Sequence, residues 1–298
     1  MTSNIKIWVG IGAFTLVQAG APPTALVELP GKAPAAWAAQ GGEGGEGGEG
    51  GEGGAAAALE PDEALVFGLL LVRGHLRVGQ ELVSAGRAKD AAMHFAHPLS
   101  EVWEQIEEPI AARGGKDSAQ GLERDLQTLL RAVEKGETGK AYRERLAAVQ
   151  DRLRAALALV GDEKRNRPAF VSRMLTAVLS VAADEYGEAV AGGRFTNVEE
   201  YQDAMGFVLE AEDYLAEHEA ALAKADRDRL DAAKEHLREL KMAFPRPVPP
   251  ASPVLAPEDV RALASQVELA LSGFLPAAGD GDGDGGEDRE GGERGKSR

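Results

Sequence analysis

The stretch that decides the fold is 61-PDEALVFGLLLVRGHLRVGQELVSAGRAKDAAMHFAH-97. Apolar residues recur in it at helical spacing, Pro61 stands where a helix would begin, and Gly86 interrupts the pattern. Because only a short turn separates the two helical segments, they must pack as an antiparallel hairpin. The stretch therefore predicts an α-helical protein that opens with a helical hairpin.

Outward from this hairpin, the chain continues in Ala- and Leu-rich helical segments that Gly and Pro residues punctuate. No segment alternates with period two, so we predict no strand. The fold class expected is all-α, a bundle of about eight helices. These are predicted roughly at 62–85, 88–112, 118–135, 139–160, 168–191, 197–223, 226–243 and 257–273.

The opening hairpin resembles a single tetratricopeptide unit. Gly79 stands twelve residues before Ala91, and Phe95 lies four further on. The small residues would let the two helices approach closely, while Phe95 would fill the seam between them. The pattern does not recur downstream, so the resemblance implies one such unit and not a solenoid.

Composition shifts divide the chain into four parts. An eleven-residue apolar run at 7–17 has the length of a signal sequence core and is too short to span a bilayer. We predict a signal peptide and processing region at 1–38, a flexible Gly/Glu linker at 39–58, a helical domain at 59–275 and a disordered acidic tail at 276–298. A periplasmic or secreted product without a stable membrane span is expected, and a short uncleaved anchor is the alternative.

Charge and cysteine content narrow the choice of partners. The formal net charge is −16, which disfavours binding to nucleic acid or to anionic membranes and favours metal ions or a basic partner protein. The chain has no cysteine, so thiolate metal sites and disulfides are excluded. Oligomeric state does not follow from these features.

The histidines suggest a metal site. His94 and His97 are spaced i, i+3, and Glu101 follows one turn after His97. The turn of the hairpin also brings His75 to their level. Imidazole and carboxylate ligands suit zinc, copper or iron, and Met93 could add a soft ligand for copper.

A second interpretation of the same histidines stays open. On a helical wheel His94, His97 and Glu101 lie away from the Phe95 face, which should meet the first helix. His75 instead points toward the core. Under this interpretation His75 is a buried, hydrogen-bonded histidine and the other two are solvated.

Grouped carboxylates form a second candidate cluster. Glu185 and Glu188 end one predicted helix, and Glu200 and Asp203 begin the next. If this helix pair packs on the first hairpin, carboxylates and histidines could meet in one site, as in metal-binding helical bundles. The alternative is that these acids are simply solvated. The candidate metal ligands are His75, His94, His97, Glu101, Glu185, Glu188 and Asp203.

A long helix with an early Gly-His pair, in a chain predicted to be exported, resembles the imelysin-like periplasmic proteins. That family is associated with iron or copper uptake and carries a Gly-x-His-x-x-Glu motif. The corresponding stretch here is Gly74-His75-Leu-Arg-Val-Gly-Gln-Glu81, without a residue between Gly and His and with the Glu at i+6. The resemblance implies a metal-related role and no specific ligand.

Two functions follow from these patterns. The first is a binding protein for a transition metal ion or a metal-bearing ligand, and the alternative is a tetratricopeptide-like scaffold for a partner protein. Convergence of two histidines and a carboxylate on one point would favour metal, whereas a concave apolar groove with dispersed histidines would favour the scaffold. The chain has no recognisable arrangement of nucleophile and base, so we do not expect an enzyme.

Overall fold

The structure, a computed structural model, describes residues 59–276. The all-α prediction is confirmed, because helices account for 79% of this region and strands for almost none of it. The predicted signal region, the linker and residues 277–298 of the tail lie outside the described residues. The helices are α1 (Pro61–Ser84), α2 (Ala88–His97), α3 (Trp103–Gly114), α4 (Lys116–Glu134), α5 (Lys140–Leu157), α6 (Asp162–Arg165), α7 (Pro168–Ala189), α8 (Val198–Glu217), α9 (Glu219–Ala225), α10 (Arg227–Lys241) and α11 (Pro257–Ser272).

The helix predicted at 88–112 is divided at Pro98. A π-helical turn, Pro98–Val102, separates α2 from α3. Proline lacks an N–H group and clashes with the carbonyl of the preceding turn, so it disturbs the helical hydrogen bonds around it. The wider turn accommodates Pro98 and resets the direction in which the following side chains point.

The prediction of no strand is wrong at one place. Val190–Ala191 (β1) pairs antiparallel with Arg194–Phe195 (β2). Gly192 and Gly193 between them have φ values of 57° and 71°, which a tight two-residue hairpin turn requires at both positions. Two residues per strand are too few to show an alternating pattern in the sequence.

The opening hairpin forms as the sequence predicts. Gly86, at φ 75°, makes the turn between α1 and α2. Phe95 lies against Gly79 so closely that a Cβ atom at position 79 would come within 2.7 Å of its ring. The glycine is therefore what allows Phe95 to fill the seam.

α1 lies at the centre of the molecule. Its residues 65–72 are all buried, which is expected of a helix covered on every side. On one side α1 packs against α2 and α3, which in turn pack against α4. On the other side it packs against α7 and α8, which belong with α10 and α11 to a four-helix bundle.

The crossing of α1 and α8 is unusually close. A Cβ atom at Gly206 would lie 2.4 Å from the carbonyl oxygen of Gly74, so the two backbones touch here. His75 follows Gly74 on α1, and Asp203 lies one turn before Gly206 on α8. The glycine contact therefore brings these two polar side chains together inside the protein.

A proline-rich segment, residues 244–256, joins α10 to α11 and passes over the start of α8. Three side chains hold it through its carbonyl oxygens: Tyr201 donates to Arg246, Gln202 to Pro247, and Tyr186 to Leu255. We call this segment the strap. Its backbone thus contacts residues adjacent to Asp203.

In residues 59–276, none of the helices combines the length and the apolar character needed to cross a membrane.

Candidate metal centre

Three histidines and one aspartate converge where α1, α2 and α8 meet. His75 comes from α1, His94 and His97 from α2, and Asp203 from α8. Each residue offers one potential ligand atom, and these atoms all lie within 4.8 Å of one another. All four side chains are buried.

The Asp203 carboxylate stands at the middle of this group. Its Oδ1 atom accepts hydrogen bonds from Nδ1 of His75 at 2.7 Å and from Nδ1 of His94 at 2.8 Å. Nδ1 of His97 lies 3.2 Å from Oδ2, but it makes no hydrogen bond within the described part of the chain. Asp203 therefore orients the rings of His75 and His94 directly and faces that of His97.

His94 is held on its other side as well. Its Nε2 atom lies 2.8 Å from Oε1 of Gln202. The amide nitrogen of Gln202 donates to the carbonyl of Pro247 in the strap at 3.0 Å, which fixes the oxygen of the amide toward His94. Both ring nitrogens of His94 thus face oxygen acceptors.

Two glutamates form the outer side of the centre. Nε2 of His97 lies 2.8 Å from Oε1 of Glu199 and 3.8 Å from Oε1 of Glu101. Nε2 of His75 lies 3.9 Å from Oε2 of Glu101. The glutamate side chains are 31% and 32% exposed, so the centre reaches solvent on this side.

The start of α8 explains the position of Glu199. Asn197 caps the helix by accepting a hydrogen bond from the backbone N–H of Glu199 at 3.2 Å. Glu199 then lies in the first turn, four residues before Asp203, and both carboxylates project from one face. The cap therefore sets the register that directs both acids at the histidines.

The buried ionisable side chains of the centre shift one another's pKa values strongly. Burial alone would raise the pKa of Asp203, but His75 and His94 outweigh it and hold that pKa well below its usual range. Burial lowers the pKa of His75, which Asp203 only partly offsets. For His94, burial again lowers the pKa, yet the charge of Asp203 and its hydrogen bond outweigh burial and raise it.

On the outer side of the centre, burial and neighbouring charges also compete in setting the pKa values of His97 and Glu101. Burial opposes the charged form of His97, but Asp203 and Glu199 raise its pKa to about 10. Burial and the neighbouring carboxylates raise the pKa of Glu101 to about 7, although His97 lowers it. The centre is thus a group of ionisable side chains that can exchange protons for a cation.

The carboxylates at the end of α7 lie beside this centre. Glu185 is buried, and burial together with a hydrogen bond to Glu200 raises its pKa far above the usual range. The charge of Asp203 also acts on it. Glu188 is exposed, and burial and Glu200 raise its pKa as well. Neither residue belongs to the converging group around Asp203.

The solvated interpretation of His94 and His97 is wrong in this structure. Their side chains are 1% and 9% exposed. The helical wheel correctly separates them from the Phe95 face, but α8 covers the other side of α2 through Asp203 and Gln202. The two opposite faces of α2 are therefore both buried.

Of the seven candidate ligands, the structure brings together His75, His94, His97 and Asp203, with Glu101 at the outer side. Sequence reasoning missed Glu199 and Gln202. Glu199 could have been found from its i, i+4 spacing to Asp203, which places it on the same helical face, whereas Glu200 points elsewhere. No local signal identifies Gln202, because its role depends on the strap.

The donor set fits a transition metal such as iron. Imidazole nitrogens combined with carboxylate oxygens are ligands of zinc, copper and non-haem ferrous iron. Within residues 59–276, Nδ1 of His97 is buried without a hydrogen bond, which is costly unless a further partner binds nearby. The cluster could therefore hold a metal ion.

Comparison with known families gives one match. Residues 161–278, less than half of the chain, match the model of the iron permease-associated 4-helix bundle domain. No curated protein and no solved structure matches the chain. The matched range includes α7, α8, α10 and α11, so it supplies Asp203 and Glu199, whereas the three histidines precede it.

This match supports a metal-related role and corrects three expectations. The resemblance to imelysin-like proteins is wrong, because the matched family is a different one, and no tetratricopeptide family matches the opening hairpin. The predicted periplasmic or secreted location is contradicted as well, since a domain associated with an iron permease points to a membrane location.

Proposed function

We propose that this chain binds iron, as Fe²⁺, at the centre of His75, His94, His97 and Asp203, in the service of an iron permease. Its role is binding and not catalysis. The observation that carries the proposal is the convergence of three buried imidazoles on one buried carboxylate. Iron is here the cargo that the protein holds.

The ligand chemistry is compatible with iron and disfavours Cu(I). Histidine with carboxylate ligands is typical of non-haem Fe(II) sites, while Cu(I) prefers soft sulfur ligands. Met93, the one soft ligand that the sequence suggested, is about half exposed and does not lie buried with the histidines. The matched domain, which is named for iron permeases, supports the same choice.

The charge of the protein supports cation capture. The chain carries a net charge of −16, and the glutamates of the centre lie on its exposed side. Clustered carboxylates raise the local concentration of cations and speed their arrival. An incoming ion would meet Glu101 and Glu199 before it meets the buried histidines.

Anaerobic calorimetry of the full chain with Fe²⁺ tests the proposal. The wild type should bind one ion per chain saturably, and the ion should raise the melting temperature because it binds only the folded state. The His75→Ala/His97→Ala double variant should lose this binding. His236→Ala, which changes a histidine outside the centre, should bind as the wild type does.

Two outcomes would contradict the proposal. One is a wild-type protein that shows no saturable binding of Fe²⁺. The other is binding that persists unchanged in the double variant, which would assign the ion to a different part of the chain.

A further inference from the structure

The ring of His97 lies between two carboxylates of the same helix. Glu199 and Asp203 are one turn apart on α8 and project from one face of it. Oε1 of Glu199 lies 2.8 Å from Nε2 of His97, and Oδ2 of Asp203 lies 3.2 Å from Nδ1. Each nitrogen of this one ring therefore faces its own acid.

The two contacts of His97 differ in kind. An acceptor oxygen at 2.8 Å is at hydrogen-bond distance and calls for a proton on Nε2. Nδ1 is buried and makes no hydrogen bond within residues 59–276, so the carboxylate oxygen beside it is close without being aligned as an acceptor. With Nε2 protonated, the neutral ring carries its lone pair on Nδ1.

The spacing on the Asp203 side fits a metal ion. Neighbouring ligand atoms around an ion with bonds of about 2.1 Å lie roughly 3.0–3.5 Å apart. The 3.2 Å between Nδ1 of His97 and Oδ2 of Asp203 falls within this range. The lone pair of a neutral imidazole and a carboxylate oxygen at that separation can bind one ion together.

The other oxygen of Asp203 holds the carboxylate in place. Oδ1 accepts a hydrogen bond from Nδ1 of His75 at 2.7 Å and another from Nδ1 of His94 at 2.8 Å. These hydrogen bonds fix the orientation of the carboxylate through Oδ1, while Oδ2 faces His97. An ion next to Oδ2 and Nδ1 of His97 therefore leaves both hydrogen bonds intact.

Neighbouring rings restrain that of His97. The ring of His75 packs against it edge-on, with centroids 5.0 Å apart and planes at 83°, and the ring of His94 does so at 5.6 Å and 76°. With imidazoles on two sides and a carboxylate at each nitrogen, the ring has little freedom to rotate. The two acids therefore decide which nitrogen meets the ion.

Resting on the proposed iron-binding function, we infer that Glu199 is a positioning residue that keeps the proton of His97 on Nε2 and thereby directs the lone pair of Nδ1 at an ion shared with Oδ2 of Asp203. A carboxylate that accepts the second ring N–H of a ligating histidine fixes its tautomer and raises its basicity. Glu199 provides this support to His97 and does not itself touch the ion.

Glu101 offers a matched control for Glu199. The two side chains are 31% and 32% exposed and lie on the same outer side of the centre. Oε1 of Glu101 is 3.8 Å from Nε2 of His97, which is too far for a hydrogen bond. Removing either glutamate takes one negative charge from the surroundings of the ion, but only the loss of Glu199 removes the acceptor.

Anaerobic Fe²⁺ calorimetry of the full chain compares three substitutions. Glu199→Leu removes charge and acceptor and should weaken binding by about tenfold or more, as losses of such supporting groups do. Glu101→Leu removes charge alone and should weaken binding by no more than about threefold. Glu199→Gln keeps an acceptor oxygen for Nε2 and should behave like Glu101→Leu. Equal losses in the two leucine variants would overturn the inference, as would a Glu199→Gln variant as weak as Glu199→Leu.

Proton NMR of the Fe²⁺-loaded protein reports on the ring of His97 itself. Paramagnetic iron strongly shifts the N–H proton of a bound imidazole, and a carboxylate that accepts this proton slows its exchange with water. One shifted, exchangeable signal should therefore be present in the wild type and in Glu101→Leu, and absent from Glu199→Leu. If the ion were bound through Nε2, the N–H group would lie on the Asp203 side. Glu199→Leu would then keep every such signal, which would overturn the inference.

Failure of this inference differs from failure of the proposed function. If the wild type binds Fe²⁺ and loses it in the His75→Ala/His97→Ala variant, the function stands whatever the glutamate variants show. If the wild type does not bind Fe²⁺, both fall together.

Discussion

Asp203 is the residue on which the organisation of the centre depends. It is buried, it accepts hydrogen bonds from two histidines, and it faces a third. The positive charge around it keeps it ionised in spite of burial. An isolated buried carboxylate would be costly, so the histidines and Asp203 stabilise one another as a group.

Glu185 shows the opposite behaviour, because carboxylates surround it. Burial and the hydrogen bond to Glu200 raise the pKa of Glu185 above its unfolded value, so the folded protein holds a proton there. Its favourable contribution to stability is present below the unfolded pKa of about 4.5 and declines as the pH rises above it.

We therefore expect Glu185→Gln to become progressively more stable than the wild type as the pH rises. In metal-free protein the difference in the free energy of unfolding should grow by about 1–2 kcal/mol between pH 5 and pH 7. Urea unfolding with a chelator at both pH values measures it. Glu188→Gln, at an exposed position, should show a smaller change. A difference that stays constant with pH would show that Glu185 is ionised in the folded state.

At the residue scale, the sequence indicates the donor types better than their arrangement. The spacing of His94, His97 and Asp203 along their helices marks them as candidates, because helical periodicity is a local property. The carboxylate cluster named Glu200 and left out Glu199, which lies one residue away and about 100° around the helix. The i, i+4 spacing of Glu199 to Asp203 is the local signal that separates the two.

At the scale of elements, the contact between α1 and α8 positions the centre. The two backbones touch at Gly74 and Gly206, and the ligands project from the adjacent turns. The strap then holds α8 from outside through Tyr201 and Gln202. Helices α1, α2 and α8 are thus fixed relative to one another before any metal binds, which favours binding by preorganisation.

Gly206→Ala tests the importance of this close approach. The added Cβ atom would meet the backbone of Gly74 at 2.4 Å, and backbone cannot give way as a flexible side chain can. We expect a loss of about 1–3 kcal/mol in the free energy of unfolding and weaker Fe²⁺ binding, because α1 and α8 must move apart.

Gly187→Ala on α7 is the matched control. Its Cβ would meet only the end of the Arg261 side chain at 3.5 Å, so the better helix propensity of Ala should stabilise the protein by about 0.5–1 kcal/mol. Thermal or urea unfolding compares the two variants. Equal effects at both glycines would contradict the close crossing of α1 and α8.

The element boundaries were largely predictable, because Gly and Pro punctuate the helices. Two local features were not predicted: the division of the second predicted helix at Pro98 and the small β-hairpin at Gly192-Gly193. In both places the backbone departs from regular geometry over only two to five residues. Such short departures leave no periodic signal in the sequence.

At the scale of the whole molecule, the centre lies between two parts of the chain. The carboxylates of α8 fall within the match to the permease-associated domain, while the histidines come from helices that precede it. All of residues 201–208 on α8 are buried, which requires α1 as a cover in addition to the helices of the bundle. The matched range therefore does not contain its complete core.

A fragment of residues 161–278 should accordingly fail to fold alone. Without α1, the buried face of α8 is exposed as an apolar surface. We expect a broad, non-cooperative thermal transition and strong binding of a hydrophobic dye, whereas the full chain should melt cooperatively. A cooperative transition of the fragment without dye binding would show that the bundle is an independent unit.

The packing of the two parts could not be predicted from the sequence. Helix α8 is separated from α2 by about a hundred residues, and the amphipathic pattern of α2 shows only the face toward Phe95. That both faces of α2 are buried follows from tertiary contacts alone. For this reason the sequence is compatible with both a solvated and a metal-binding interpretation of His94 and His97. The contacts of Asp203 with both rings decide between them.

Anomalous diffraction from crystals of the full chain grown anaerobically with Fe²⁺ tests the central claim most directly, since it locates the iron. The account predicts one strong peak between α1, α2 and α8, at about 2.0–2.3 Å from ring nitrogens of the histidines of the centre. The absence of a peak among these helices, with iron bound elsewhere or not at all, would contradict it.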